Sequence, residues 1–143
     1  MKILIINGPN INMLGLREPK IYGNKSYEDL LEFIRCAAED LGANPTLFQS
    51  NSEGAIVDTI QAAYGQYDGI LINPAAYTHT SIAIPDALKA VAIPAVEVHI
   101  TDITSREPYR RVSYTSEACV KTISGEGFEG YRSAIKTLLE LIA

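Results

Sequence analysis

Short apolar runs and helical stripes alternate along this chain from end to end. Residues 3–6 are Ile-Leu-Ile-Ile between Lys2 and Asn7 and predict a first strand. Ser26, followed by Glu28 and Asp29, has the form of a helix start, with a capping hydroxyl ahead of acids in the first turn. Tyr27, Leu30, Leu31, Ile34, Ala38 and Leu41 then recur at helical spacing, and Gly42 stands where a C-terminal cap belongs. Residues 45–49 predict a weaker second strand, and Ser52 opens a second helix through Ile56, Ile60 and Ala63. Residues 69–73 are apolar up to Asn73, the pattern of a strand buried on both faces. Residues 81–91 predict a short helix with Pro85 in its first turn, where a missing N–H does no harm. Residues 95–100 and 120–124 predict two more strands. Phe128, Tyr131, Ile135, Leu138, Leu139 and Ile142 form the stripe of a last helix.

Repeated βα units of this length predict a parallel sheet with helices on both faces, an α/β three-layer sandwich. Five strands predict the flavodoxin-like order 2-1-3-4-5. There is no internal repeat, low-complexity segment or linker, so residues 1–143 are expected to form a single domain. Two connections, 8–25 and 101–118, are too long for plain turns. Such loops are usually functional or mobile, and both of these carry arginines.

Composition narrows the function classes. The chain is 47% hydrophobic and 20% charged, which is globular and not disordered. No apolar run approaches the ~20 residues of a membrane span, and the N-terminal run is too short for a signal peptide, so a cytoplasmic protein without membrane contact is expected. A net charge of −5, from 12 basic and 17 acidic residues, argues against nucleic-acid binding through bulk electrostatics. It leaves room for a small anionic substrate, because the local field matters more than the total. Arg106, Arg110 and Arg111 sit together, and Arg17 stands alone in the early loop. Cys36 and Cys119 have no metal or redox spacing and read as two buried small hydrophobes without a disulfide.

Ligands of an open parallel sheet bind outside the C-terminal ends of its strands. Asn10 follows strand one; Asn73 and His79 follow strand three; Glu97, His99 and Thr101 close strand four. Both histidines of the chain fall on this edge. Glu97 and His99 are two apart on a strand and share a face. A carboxylate beside an imidazole raises its pKa and orients it, which suits a general acid near neutral pH. The same pair also fits a buried structural ion pair; its place at a strand end, facing Asn73 and Asn10, favours function. Asn10 and Asn73 fit turns as well as ligand binding, and two amides on neighbouring strand ends favour the latter. His79 is either a loop histidine or part of an anion-binding helix start. Tyr22 lies between Arg17 and Gly23. A free tyrosine has a pKa near ~10, which a guanidinium from Arg17 or Arg106 would lower; on the bare sequence, a tyrosine that packs the loop is the simpler reading.

Gly125-Glu126-Gly127-Phe128-Glu129-Gly130 fits a dinucleotide-binding fingerprint. It follows the last strand, however, with too little chain beyond it for another βαβ unit, and its two acids oppose a pyrophosphate. It reads as packing of the last strand against the last helix. A metal site from His79, His99 and Glu97 lacks a recognised ligand spacing, and no nucleophile elbow is present. The rival reading is a flavodoxin-like nucleotide- or flavin-binding protein.

Taken together, Asn7-Gly8-Pro9-Asn10 with Leu14-Gly15, Arg17-Glu18-Pro19, Tyr22-Gly23, Gln49-Ser50-Asn51-Ser52-Glu53-Gly54, Asn73-Pro74-Ala75-Ala76-Tyr77-Thr78-His79-Thr80-Ser81, Glu97-Val98-His99-Ile100 and Arg106-Glu107 through Ser113-Tyr114 resemble the type II dehydroquinases, in that family's order and spacing. The resemblance covers essentially the whole chain. It implies elimination of water from 3-dehydroquinate through an enolate to give 3-dehydroshikimate, in the shikimate pathway of aromatic amino acid biosynthesis, with no metal or organic cofactor. It further implies that Tyr22 is the base, kept anionic by Arg17 and Arg106; that Asn10 stabilises the enolate through a water; and that His99, oriented by Glu97, is the general acid. Asn73 with the backbone N–H groups near Ile100 and Thr101 would hold the substrate carboxylate. His79 and Arg110 would bind ring hydroxyls, and Asp86 would come from a neighbouring subunit of a trimer, four trimers forming a dodecamer. Gly15 and Gly23 near the ends of the Arg17–Tyr22 loop suggest a closing lid. Four positions depart from the pattern: Thr101-Asp102 stands where Ser-Asn is common, Thr104 where His or Tyr is common, and Pro85 where Arg is common.

Overall fold

The computed structural model describes residues 1–16 and 25–143. Five parallel strands, β1 (Lys2–Asn7), β2 (Asn44–Gln49), β3 (Gly69–Asn73), β4 (Ala95–His99) and β5 (Lys121–Ser124), form one sheet in the order β2-β1-β3-β4-β5. The expected topology is the observed one. Chain direction explains the site's location: all five strands end on the same edge. In register, Asn7 lies beside Asn73 across β1 and β3, Ile72 lies beside Glu97 across β3 and β4, and Glu97 lies beside Thr122 across β4 and β5.

Among the described residues, four α-helices cover the sheet: α1 (Tyr27–Leu41), α2 (Glu53–Ala62), α3 (Ala83–Val91) and α4 (Glu129–Ile142). Their starts and stops follow the sequence signals. Ser26 and Asp29 form a reciprocal capping box, and Gly42 takes the left-handed conformation at φ 75° that ends α1. Ser52 accepts from Ala55 N at the start of α2. The third helix begins two residues later than Ser81; that serine still caps it by accepting from Ile84 N at 3.1 Å, and Pro85 sits in the first turn as expected. No α-helix of the described residues is long and apolar enough to cross a membrane.

Strand alternation divides the apolar side chains into two cores. Ile3, Ile5, Leu71, Val96 and Val98 face α1 and α4, meeting Leu30, Ile34, Ile135 and Leu138. Leu4, Ile6, Ile70, Ile72 and Ala95 face α2 and α3, meeting Ile56, Ile60, Ile84 and Leu88. Each fully buried aliphatic side chain contributes about 1.5–3 kcal/mol by transfer from water. Every residue of β3 and β4 is buried, Asn73, Glu97 and His99 included.

The long connection after β4 is not structureless. Three short 3₁₀ turns, Ile103–Ser105, Pro108–Arg110 and Thr115–Ala118, divide it. The cysteine expectation needs correction at one position: Cys36 lies exposed on the outer face of α1, its thiol against Glu32, while Cys119 is partly buried. Both are free thiols.

Candidate active site

The strand ends open into one cleft, lined by Pro9, Asn10, Ile11, Leu14, Asn73, Ala75, Ala76, His79, His99, Ile100, Thr101, Ile103, Arg106 and Arg110. Asn10, Asn73, His79, His99, Ile100, Thr101, Arg106 and Arg110, all expected on this edge, therefore meet there. Arg17, Tyr22 and the suggested lid with Gly23 lie outside the described residues. Asp86 is exposed in the first turn of α3 and does not line the cleft of its own chain.

The cleft's floor requires close approach of two loops. Gly8 N donates to the Asn73 carbonyl at 2.8 Å, and a Cβ on Gly8 would stand 2.6 Å from the Pro74 carbonyl oxygen. Only a glycine fits between these backbones. Two cleft residues hold left-handed backbone, Asn10 at φ 69° and Ala75 at φ 51°. Asparagine tolerates that region; alanine does so at a cost of about 1–3 kcal/mol, which the surrounding structure must offset. Ala75 N donates to Asn73 Oδ1 at 3.1 Å, and Asn10 N donates to Asn51 Oδ1 at 3.0 Å.

Glu97 and His99 line up on one face of β4, as their spacing predicts, with His99 Nε2 2.5 Å from Glu97 Oε2. Glu97 is fully buried and His99 nearly so. Burial by itself pushes the Glu97 carboxyl up. The hydrogen bond and charge of His99, with the hydroxyls of Thr78 and Ser113, outweigh it and hold the group below the usual carboxylate range. An ionised carboxylate only accepts, so His99 Nε2 carries the proton in this contact and Nδ1 is the ring nitrogen left for the cleft. His79 has the opposite arrangement: Nδ1 donates to the Val112 carbonyl at 2.7 Å, leaving Nε2.

One expectation changes in detail. Asn73 shares the cleft with His99, but its side chain leaves the sheet on the opposite face, where Nδ2 donates to Tyr131 Oη at 2.9 Å. Tyr131 in turn donates to Asn7 Oδ1 at 2.7 Å. Burial pushes the Tyr131 phenol far up, so it stays protonated.

Of the departures in the late loop, Thr101 lines the cleft, while Asp102 and Thr104 satisfy each other away from it. Asp102 Oδ1 accepts from Thr104 N at 2.9 Å and from Thr104 Oγ1 at 2.6 Å, an N-terminal cap for the turn Ile103–Ser105. The hydrogen bonds from Thr104 lower its pKa. Neither residue lines the cleft. Arg106 reaches Thr101 Oγ1 at 3.5 Å, and Arg110 Nε pairs with Glu107 at 3.1 Å. The glycine-rich segment behaves as packing: Gly125 turns at φ 81° against Asp102, and a methyl on Gly130 would touch Val98 and Ile123.

Several residues of this edge escaped sequence reasoning. Ser113 and Thr122 reach Glu97 from the late loop and from β5. Gln49 ties Gly8, Asn12 and Asn51 together through Nε2. Only Thr122 had a usable signal, a polar residue beside Glu97 once the strand register is known.

A family model described as "Dehydroquinase class II" matches residues 1–139. The chain belongs to the class II dehydroquinase family. A 3-dehydroquinate dehydratase of Clostridium acetobutylicum is 54% identical over all of this chain and 99% of its own. A catabolic 3-dehydroquinase 1 of Aspergillus fumigatus is 53% identical over 94% of this chain and 89% of its own. The crystal structure of a type II dehydroquinase from Butyrivibrio crossotus superposes with a TM-score of 0.95 at 50% identity, covering 97% of each chain. As a class II dehydroquinase, the chain has no need of the nucleotide- or flavin-binding reading, which nothing in the cleft favours.

Proposed function

We propose that this chain is a 3-dehydroquinate dehydratase, a hydro-lyase that removes water from 3-dehydroquinate to give 3-dehydroshikimate in the shikimate pathway. The observation that carries the reading is His99, held by buried Glu97 and lining a cleft that also receives Arg106 and Arg110. It stands in a chain with full-length 3-dehydroquinate dehydratase relatives.

In this reading Tyr22, kept anionic by Arg17 and Arg106, takes the proton from C2 beside the ketone. The electron pair moves onto the carbonyl oxygen, and Asn10 stabilises that enolate through a water. As the enolate collapses, the C1–C2 double bond forms, the C1–O bond breaks, and the leaving hydroxyl takes a proton from His99 to depart as water. Asn73, with the backbone N–H groups of Ile100 and Thr101, holds the carboxylate. Arg110 and His79, the latter through Nε2, hold ring hydroxyls. No metal or cofactor takes part.

The reading extends to the assembly. Residues 1–143 act as one catalytic domain in a homo-oligomer built from trimers into a dodecamer, and Asp86 reaches the neighbour's cleft; its exposure outside its own cleft supports this. Two free cysteines suit the reducing cytoplasm.

The test is an ultraviolet assay on purified protein with 3-dehydroquinate, since the product's conjugated enone absorbs where the substrate does not. The expected result is a rise in absorbance, lost in Tyr22→Phe. Folded, assembled protein that gives no rise would overturn the reading.

A further inference from the structure

The Glu97 carboxylate is held by more than its histidine. Thr78 Oγ1 donates to Oε2 at 2.5 Å, and Thr122 Oγ1 donates to Oε1 at 3.0 Å. Ser113 Oγ lies 2.7 Å from Oε2 and 3.0 Å from Oε1. With His99 Nε2, that makes four donors for the roughly four lone-pair sites of a carboxylate. Among the described residues, the only ion-pair partner of Glu97 is His99. Three hydroxyls thus do for this anion what a Lys or Arg would otherwise do, and they add no second positive charge beside the imidazole.

Of the three, Ser113 is distinctive because of where it comes from. Thr122 belongs to the sheet and Thr78 to the 3₁₀ turn Ala75–His79, whereas Ser113 ends the loop that carries Arg106 and Arg110. Its position is fixed from both sides. Ser116 N donates to Ser113 Oγ at 3.1 Å, and Ser116 Oγ donates to the Ser113 carbonyl at 2.7 Å. Next to it, Tyr114 N donates to the Thr78 carbonyl at 2.8 Å, and the Val112 carbonyl accepts from His79 Nδ1. Ser113 Oγ and Thr78 Oγ1 are 2.7 Å apart; each has one proton, so with both directed at Glu97 the two oxygens sit side by side on the same carboxylate. The arginine loop therefore ends on the carboxylate that orients His99.

We propose that Ser113 is a positioning residue for the elimination: its hydroxyl, with that of Thr78, sets the orientation of Glu97 and through it the tautomer and angle of His99, coupling the arginine loop to the general acid. This rests on the proposed function. Ser113 touches no substrate; it acts through Glu97. Removing the hydroxyl leaves one carboxylate lone pair unmatched in a buried site and frees the loop end, so the imidazole loses its fixed angle. Proton delivery to the leaving hydroxyl suffers more than substrate binding, which the other cleft groups retain. Among the described residues, the titratable groups that act on Glu97 are His99 and the Cys119 thiol; burial, with the charge of Glu97, pushes that thiol up to about 12, so it stays neutral throughout the working range.

The experiment compares wild type with Ser113→Ala, Ser113→Thr and Thr78→Val. Two readouts are taken on the full oligomer: steady-state kinetics against pH, and solid-state NMR of protein with ¹⁵N-labelled histidine, in which a chain with 2 histidines gives an assignable pair. The expected result for Ser113→Ala is a fall in kcat of about 10- to 100-fold with KM changing far less, a displaced pH profile, and a shifted His99 ¹⁵N signal. Ser113→Thr restores most of the activity, and Thr78→Val behaves like Ser113→Ala. An unchanged kcat, pH profile and His99 signal in Ser113→Ala would overturn the proposal. So would a loss seen only in KM, or an equal loss in Ser113→Thr. If Ser113→Ala does not fold, Thr78→Val decides by the same measures. The NMR readout needs no substrate: wild type inactive on 3-dehydroquinate sinks the proposed function, whereas an unmoved His99 signal sinks the coupling.

Discussion

Two buried polar clusters sit under the same cleft, one on each face of the sheet, and they are built from different chemistry. On the α1/α4 face, Asn7, Tyr131 and Asn73 join two amides and a phenol. On the α2/α3 face, Thr78, Ser113, Thr122 and His99 surround the Glu97 carboxylate. The first cluster is neutral, and burial keeps its phenol protonated. The second holds a charge that its donors stabilise against burial. A neutral network can fix the shape of strand ends without responding to pH. An ionic one must keep its proton inventory correct to exist at all, and so it is the one suited to proton transfer. Under the proposed function, the ionic face carries the acid chemistry, and the neutral face fixes the strand ends that present Asn73 to the cleft.

The comparison breaks most visibly at His99. His99→Ala removes the proposed acid while the α1/α4 cluster stays intact, so activity should fall about 100- to 10,000-fold in the ultraviolet assay. A smaller loss would move the acid role elsewhere.

Stability should separate the two faces next. Tyr131→Phe deletes the donor to Asn7 and the acceptor for Asn73, and should cost about 1–3 kcal/mol in urea unfolding. That loss should be nearly the same from acid to neutral pH, because the phenol does not titrate there. Glu97 behaves otherwise. Its folded pKa lies below its unfolded one, so its stabilisation is fully present above the ordinary carboxylate range and fades as pH falls through the folded value. Glu97→Gln should flatten that acid limb of the stability–pH curve. A Tyr131→Phe penalty that varied with pH, or an acid limb unaffected by Glu97→Gln, would erase the distinction.

The smallest effect should come from Asp102→Asn. The carboxylate caps a turn outside the cleft, and an amide oxygen accepts the same bonds. Stability should stay within about 0.5 kcal/mol, and KM should change by no more than roughly twofold. A larger drop in KM would mean that the charge of Asp102 reaches the substrate after all.

Much of this molecule was legible along the chain. Helix limits held because Ser26, Gly42 and Ser52 act through their own neighbours, within a turn. The pairing of Glu97 with His99 was legible for the same reason, as two residues on one side of a strand. The expectation that this pair faces Asn73 was true of the cleft but not of the sheet face. Asn73 belongs to a strand whose alternation places it toward Tyr131, and strand phase relative to a neighbour cannot be read from either strand alone. Cys36 was misjudged because a small thiol on a helix gives no sign of which face is covered. The likeness of many short segments in order supplied the residue roles that no local pattern carries, and the family match over residues 1–139 agrees with it.

What the sequence alone determined, then, was everything that depends on near neighbours: the helices, the strands, the parallel α/β class, and the gathering of both histidines on one sheet edge. Tertiary structure decided which distant groups share a buried carboxylate. Ser113 lies 16 positions from Glu97, Thr78 lies 19 and Thr122 lies 25. The physical reason is that a hydrogen bond needs its partners within about 3 Å. Over such separations only the packed sheet and its loops bring those atoms together.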